Sequence, residues 1–518
     1  MQKNVLCVFR AYFLCVGGIG ISLFPALSSG QSFFKGLGDL PGGNFESVAL
    51  GVSADGSVVV GYSKSANGQE AFRWTEDTGM VGLGDLPGSS FYSVASGASA
   101  DGSVIVGYGT SSNGQEAFRW TQTAGMVGLG DLSGGGFSST ASGVSWDGTV
   151  VVGQGYSANG FEAFRWTAAT GMVGLGDLPG GGFSSIALAV SEDGSVIVGS
   201  GYLGNGFEAF RWTETTGMVG LGDLPGGNFS EAYGVSADGS VVVGRGTSAN
   251  GYEAFRWTWL EGMVGLGDLP DGGFDSRAHS VSGDGSVIVG QAFSSNGYEA
   301  FIWDSVYGMR SVSDWLKANG VSVPPGWVLG TAYDVAVHNG FAIVVGTGWN
   351  PSGQTEAWIA RVPLSTTLQP EAFVIVRGEL VQGGLNELLL SDDKKLFIKR
   401  PRSISLTGVQ IMLDVKSHFE GTNVTKLGFT LETASSEGGA NQKVLFKNYQ
   451  TGTFEEVDSR TATFSDSTAQ IIISENPSRF VHPQTGEVYA RIVWTKTGFV
   501  PANWMTAADF VAWQIWSQ

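Results

Sequence analysis

Seven glutamates are the first residues to weigh for chemistry. Glu70, Glu116, Glu162, Glu208, Glu253, Glu299 and Glu356 each open a Glu-Ala-Phe or Glu-Ala-Trp triplet. An arginine follows three residues later in five copies, at Arg73, Arg119, Arg165, Arg211 and Arg256, while Ile302 and Ile359 stand there in the last two. Two carboxylates flanking a glycosidic bond can hydrolyse it, one as acid and one as base or nucleophile. An extracellular carbohydrate-active enzyme, a glycosidase or lyase, is therefore one reading. Such a pair needs two different environments, whereas these acids recur in one context, as a framework residue would. In a strand, residues i and i+3 face opposite ways. A Glu of one copy could thus meet the Arg of its neighbour in a charge-assisted bond. That structural role between copies is the expectation for all of these side chains.

The remaining candidates are weaker. Asp39, Asp85, Asp131, Asp177, Asp223 and Asp268 recur in Gly-Leu-Gly-Asp-Leu and read as turn or cap residues. The Gly-x-Gly before them follows a strand but opens no helix, so it is not a dinucleotide loop. The Asp-Gly turns lack the alternating acids of a calcium loop. The histidines, His279, His338, His418 and His482, are too scattered for a triad or a metal site. Both cysteines, Cys7 and Cys15, lie in the first thirty residues. The remainder has no thiolate chemistry and no disulfide. No catalytic residue, cofactor or metal is expected.

The elements that position these residues come from a repeat. The triplet glutamates are spaced 46, 46, 46, 45, 46 and 57 residues apart, a period that marks a repeat architecture. Each copy reads as four short strands. In the first copy these are SVALGVS (47–53), a turn at Asp55-Gly56, SVVVGYS (57–63), a turn at Asn67-Gly68, EAFRWT (70–75) and GMVGLGDL (79–86). Four strands in about 46 residues is the spacing of a propeller blade. A parallel β-helix would need shorter coils. Seven first strands are present, but the last copy ends at EAWIARV (356–362) without a fourth strand, and the chain opens with an orphan one, FFKGLGDL (33–40). The expected fold is all-β: a seven-bladed β-propeller over 31–365, closed by its N-terminal strand so that no sheet edge stays bare. Phe72 and Trp74 share the Glu70 face and are expected to wedge between blades.

The tandem GLGDLPGG, GVSADGSVVVG and EAFRWT motifs resemble the HAF-repeat family of bacterial extracellular proteins over residues 33 to 362. The resemblance implies export and a propeller-like fold, and it carries no defined activity. Independently, residues 1–30 combine Lys3 and Arg10, an apolar run over 11–27 and small residues at Ser28, Ser29 and Gly30. This is a secretory signal pattern, and the run is short and Gly-rich for a membrane anchor. A secreted, cell-surface or periplasmic location follows, with no membrane span after cleavage. The chain carries 47 Asp+Glu against 28 Lys+Arg. The repeat region holds 31 of these acids against 12 bases, which argues against nucleic-acid binding there.

Residues 366–371 read as a linker, and 372–518 as further strands without the repeat. The hairpin FKNYQTGTFEEV (446–457) resembles the β-sandwich modules of secreted bacterial proteins, with a jelly roll of lectin-like or galactose-binding-like type the nearest. For the whole chain, the expected function is a binding or scaffold protein that engages a protein or glycan at one propeller face. Two loop types emerge on that face. One carries Phe45, Phe91, Phe137, Phe183, Phe229 and Phe274, which either plug gaps between blades or face a ligand. The other varies at a single position, through Gln69, Gln115, Phe161, Phe207, Tyr252 and Tyr298. A position that accepts both Gln and Phe reads as exposed, so Phe161, Phe207, Tyr252 and Tyr298 are the expected binding residues.

Overall fold

A computed structural model describes residues 32–517, except 89, 205, 365, 390–394, 402–408, 420–423, 437–438, 466, 498–499 and 501–503. The signal segment expected over 1–30 lies outside the described residues. The protein is all-β, built of many antiparallel sheets with few helices. No sheet closes on itself.

Each copy of the repeat forms a four-stranded antiparallel meander. The first runs Gly42–Val52, Val59–Ser65, Gly68–Thr75 and Gly79–Gly82 in that spatial order. Five sheets have this form, and an eight-stranded sheet holds two more such units, joined by one parallel pairing of Ser138 with Gln115. The orphan strand Phe33–Gly36 lies antiparallel to Thr355–Pro363, with Phe33 opposite Arg361 and Gly36 opposite Trp358. The start of the chain thus supplies the fourth strand that the last copy lacks.

Packing explains why the copies hold together. The Phe of each triplet, from Phe72 to Phe301, is fully buried, which stabilises by about 1.5–3 kcal/mol each relative to exposure. Phe118 and Ile105 of the second unit meet Val58, Val60 and Ala71 of the first. Phe72 and Trp74 of the first unit meet Ile343, Val345, Ala357 and Ile359 of the seventh. At the Asp-Gly turns, backbone bonds run from unit to unit: Ala100 N donates to Trp146 O at 3.0 Å, Trp146 N to Glu192 O at 3.1 Å, Glu192 N to Ala237 O at 3.0 Å and Ala237 N to Gly283 O at 2.9 Å.

The sixth unit ends differently. Its fourth strand, Gly308–Ser311, is as long as the others, but a helix, Val312–Ala318, follows where the Leu-Gly-Asp-Leu loop stands elsewhere. Ser311 caps it, its Oγ accepting from Asp314 N at 3.0 Å. Beyond the repeats, a six-stranded and a five-stranded antiparallel sheet share one apolar core that includes Ile411, Phe429, Trp494 and Trp513. The linker expectation needs correction. Thr366–Leu368 is a strand that pairs with Trp513–Ile515 in register, because its backbone groups complete the edge of that sheet.

Candidate functional site

The repeated glutamates are tied to backbone. Glu70, Glu116, Glu162, Glu208 and Glu253 each accept, at 2.9–3.1 Å, from the N–H of the second glycine of the following Gly-Leu-Gly-Asp loop. Glu356 does the same across the chain ends, accepting from Gly38 N at 3.0 Å. That second glycine is left-handed, with φ of 80° at Gly84. The first glycine makes room for the carboxylate: a Cβ on Gly128 would lie 2.2 Å from Glu116 Oε1. Glu299, whose loop lacks the motif, turns instead to Ser294 and to Asn296 Nδ2. The expected Glu–Arg bonds are therefore a correction, since a nearer amide already engages each carboxylate. The arginines do cross to the next copy, but to carbonyls: Arg119 Nε donates to Gly148 O at 3.3 Å and Arg211 Nε to Gly239 O at 3.4 Å. Arg256 pairs instead with Glu261 at 2.7 Å. The loop aspartates act as turn residues. Asp131, for one, accepts from Leu132 N at 2.8 Å and Ser138 N at 2.7 Å.

The expected binding aromatics lie together along one arc. Phe161, Tyr252 and Tyr298 are 43–45 % exposed, and Phe207 is half-buried against Tyr202. Each sits at the second-to-third-strand hairpin of its unit beside another ring, edge to face. The pairs are Tyr156–Phe161 at 5.0 Å, Tyr202–Phe207 at 5.4 Å, Phe229–Tyr252 at 6.1 Å and Phe293–Tyr298 at 5.1 Å. The half-buried Phe of the other loop, Phe229 among them, supports this rim. Two of the hairpins are held from the next unit. Phe161 bridges to Ser184 and Tyr252 to Asp275 through backbone.

A second group was missed by the sequence reading. The first strands of all seven units line a central cavity of about 320 Å³. Equivalent positions follow from the register, in which Ala49, Ala95, Ala141, Ala187, Ala232, Ala278 and Ala332 each face a strand-two glycine. The residue after that alanine is Leu50, Ser96, Ser142 or Leu188 in the first four units, but Tyr233, His279 and Tyr333 in the last three. The residue before it is Val48, Val94, Thr140 or Ile186, then Glu231, Arg277 and Thr331. Glu231 accepts from the Tyr233 hydroxyl and pairs with Arg245 at 3.2 Å. The Arg245 guanidinium stacks over Tyr252 at 4.7 Å, and that of Arg277 lies over Tyr233 at 5.7 Å. His279 sits between Tyr233 and Tyr333, at ring distances of 5.9 and 5.1 Å. Burial, aided by the Arg277 charge, pulls its pKa down to about 3, so the ring is neutral. Asp334 replaces a small residue at the closure. It accepts from Val52 N of the first unit at 2.9 Å and Ser280 Oγ of the sixth at 2.6 Å, and burial raises its pKa despite these bonds. Charged and aromatic residues at strand-one positions that are aliphatic or small in earlier copies were the signal available in the sequence.

The two ends of this cavity differ in charge. At the turn end stand Asp147, Asp193 and Asp238. Hydrogen bonds hold their carboxyls below the usual range, led by the Ser145 and Ser236 hydroxyls for Asp147 and Asp238 and by the Ser195 amide for Asp193. Towards the hairpin end, behind the lining residues, stand Arg277, which lies over Tyr233, and Arg245, which pairs with Glu231. Among the described residues no group of histidines and acids is arranged to hold a metal, and no helix is long and apolar enough to cross a membrane.

No protein-family model matches the chain, and no curated protein does. Among solved structures, TolB from Acinetobacter baumannii is similar at 12 % identity and a TM-score of 0.34, over 60 % of this chain and 64 % of that one. The chain thus spans just under two thirds of that protein. A putative TolB from Agrobacterium tumefaciens is similar at 14 % identity and a TM-score of 0.31, over 61 % of this chain and 91 % of that one. A mutant of a family 29 carbohydrate binding module complexed with mannohexaose is similar at 12 % identity and a TM-score of 0.19, over 29 % of this chain and 92 % of that one.

Proposed function

We propose that this chain is an exported binding scaffold of the HAF-repeat type. In this reading the repeats form a seven-bladed β-propeller closed by the N-terminal strand, and the C-terminal sheets form a jelly-roll-like sandwich. The ligand is a glycan, taken along the aromatic arc of the third to sixth units. The observation that carries this reading is the arc itself: four consecutive hairpins present an edge-to-face ring pair at one level. Aromatic side chains with few rotatable bonds offer contact area at small entropic cost. Two of the hairpins under them, at Phe161 and Tyr252, are fixed by backbone bridges to the next unit. The seven glutamates serve as framework here, not as acid or base.

The test is a glycan array run with the purified chain and with the quadruple variant Phe161→Ser, Phe207→Ser, Tyr252→Ser, Tyr298→Ser. The expected result is retention of at least one neutral oligosaccharide class by the parent and its loss by the variant. Equal retention by a folded variant, or capture of a protein partner in place of any glycan, overturns the glycan reading.

A further inference from the structure

We propose that the fifth to seventh units hold a site for the carboxylate of a small sugar acid, at the hairpin end of the central cavity. This site adjoins the aromatic arc, since Arg245 stacks over Tyr252, but its ligand groups are Arg277 and His279 and it does not rest on glycan binding at the arc. Three buried nitrogens of this cluster have no hydrogen-bond partner among the described residues, Arg245 Nε, Arg277 Nε and His279 Nε2, and the charges of both arginines act on the His279 ring. Unpaired buried polar atoms are costly, and three within one cluster point to an absent acceptor. Glu231 is already engaged by Tyr233 and Arg245, and Asp275 accepts from the Tyr298 hydroxyl at 2.5 Å. The guanidinium of Arg277 therefore remains for an incoming anion. A guanidinium offers a carboxylate two parallel donors.

The cavity defines the rest of the ligand. At about 320 Å³ it is at the low end of small-molecule sites. The rings of Tyr233 and Tyr333 flank His279 on one wall, and the hydroxyls of Ser96 and Ser142 line the other. Aromatic faces with scattered hydroxyls suit a polyhydroxylated ring. The acidic turns at the opposite end repel an anion, so entry from the hairpin end is favoured.

Titration of the full chain with D-galacturonate, D-galactose, acetate and phosphate by calorimetry tests this. Galacturonate is expected to bind at least tenfold tighter than galactose or acetate, and phosphate more weakly than galacturonate. Arg277→Gln and His279→Ala are each expected to weaken galacturonate at least tenfold. Ser200→Ala, in the fourth unit, is expected to leave it unchanged. Thermal melts establish that each variant is folded, and Arg277→Lys, which keeps the charge but not the fork, should recover only part of the affinity. Equal binding of galacturonate and galactose, preference for phosphate, or full affinity in folded Arg277→Gln overturns the proposal, as does no galacturonate binding by the folded parent.

Discussion

The first four units and the last three share a framework and differ at the cavity. In both groups the triplet aromatic, Phe or in the seventh unit Trp358, is buried, and the strand-one alanine faces a strand-two glycine. At the two positions that flank the strand-one alanine the early units offer only aliphatic and small hydroxyl side chains, whereas the late ones offer Glu231, Tyr233, Arg277, His279 and Tyr333. In a repeat protein, what every copy keeps holds the copies together, and what a few neighbouring copies change together marks a site. The glutamates belong to the first kind, and the cavity cluster to the second.

The comparison can be broken most severely at the closure. Deleting residues 32–40 removes buried Leu37 and Leu40, which cost about 2–5 kcal/mol each on truncation alone. It also bares the edge of Thr355–Pro363. Urea unfolding should show a loss above about 5 kcal/mol, and a loss under about 1 kcal/mol refutes closure by this strand. Next come Phe118→Ala and Phe301→Ala, one from each group. Both should cost about 3–5 kcal/mol, and a clear inequality would show that the framework is not shared. Glu162→Ala should cost about 1.5–3 kcal/mol, the range for a hydrogen bond to a charged group, because it frees Gly176 N. Glu299→Ala, whose partners are local, should cost less than about 1 kcal/mol.

The smallest effect is a slope. The unfolded chain protonates His279 near its ordinary value of 6.5, and the folded chain only near about 3. In that window the unfolded state binds more protons, so stability falls as pH falls from 6.5 towards 3. His279→Gln should flatten the curve by about one proton, while Ser96→Ala, at the equivalent early position, should leave it unchanged. Melting temperatures across the range measure both.

Much of the framework was legible because it repeats. The four strands, the Asp-Gly turns and the orphan strand were read from spacing, and the pairing of Phe33–Gly36 with Thr355–Pro363 is observed. The exposure of Phe161, Tyr252 and Tyr298 followed from their exchange with Gln. The partner of the glutamates was not legible. Alternation in a strand says which side a residue faces, but not that a loop amide fourteen residues on curls back to meet it. The helix Val312–Ala318 was missed because seven residues, about two turns, carry too short a period to stand out. The cavity cluster was missed because comparing each copy with a consensus conceals residues that depart from it only in adjacent copies.

The pairing of the first strand with the last has a consequence in time. Phe33 leaves the ribosome about 330 residues before Arg361, and at typical synthesis rates that gap is roughly 15 to 65 s. Through that interval the first and the latest completed copies each lack a neighbour on one side, and the strand Phe33–Gly36 has no third strand to join. A chain stopped before residue 355 would present Phe341–Trp349 as an open edge. The closing contact is thus a completeness signal: it can form only when every copy has been made, which leaves truncated chains to pairing with one another or to proteolysis.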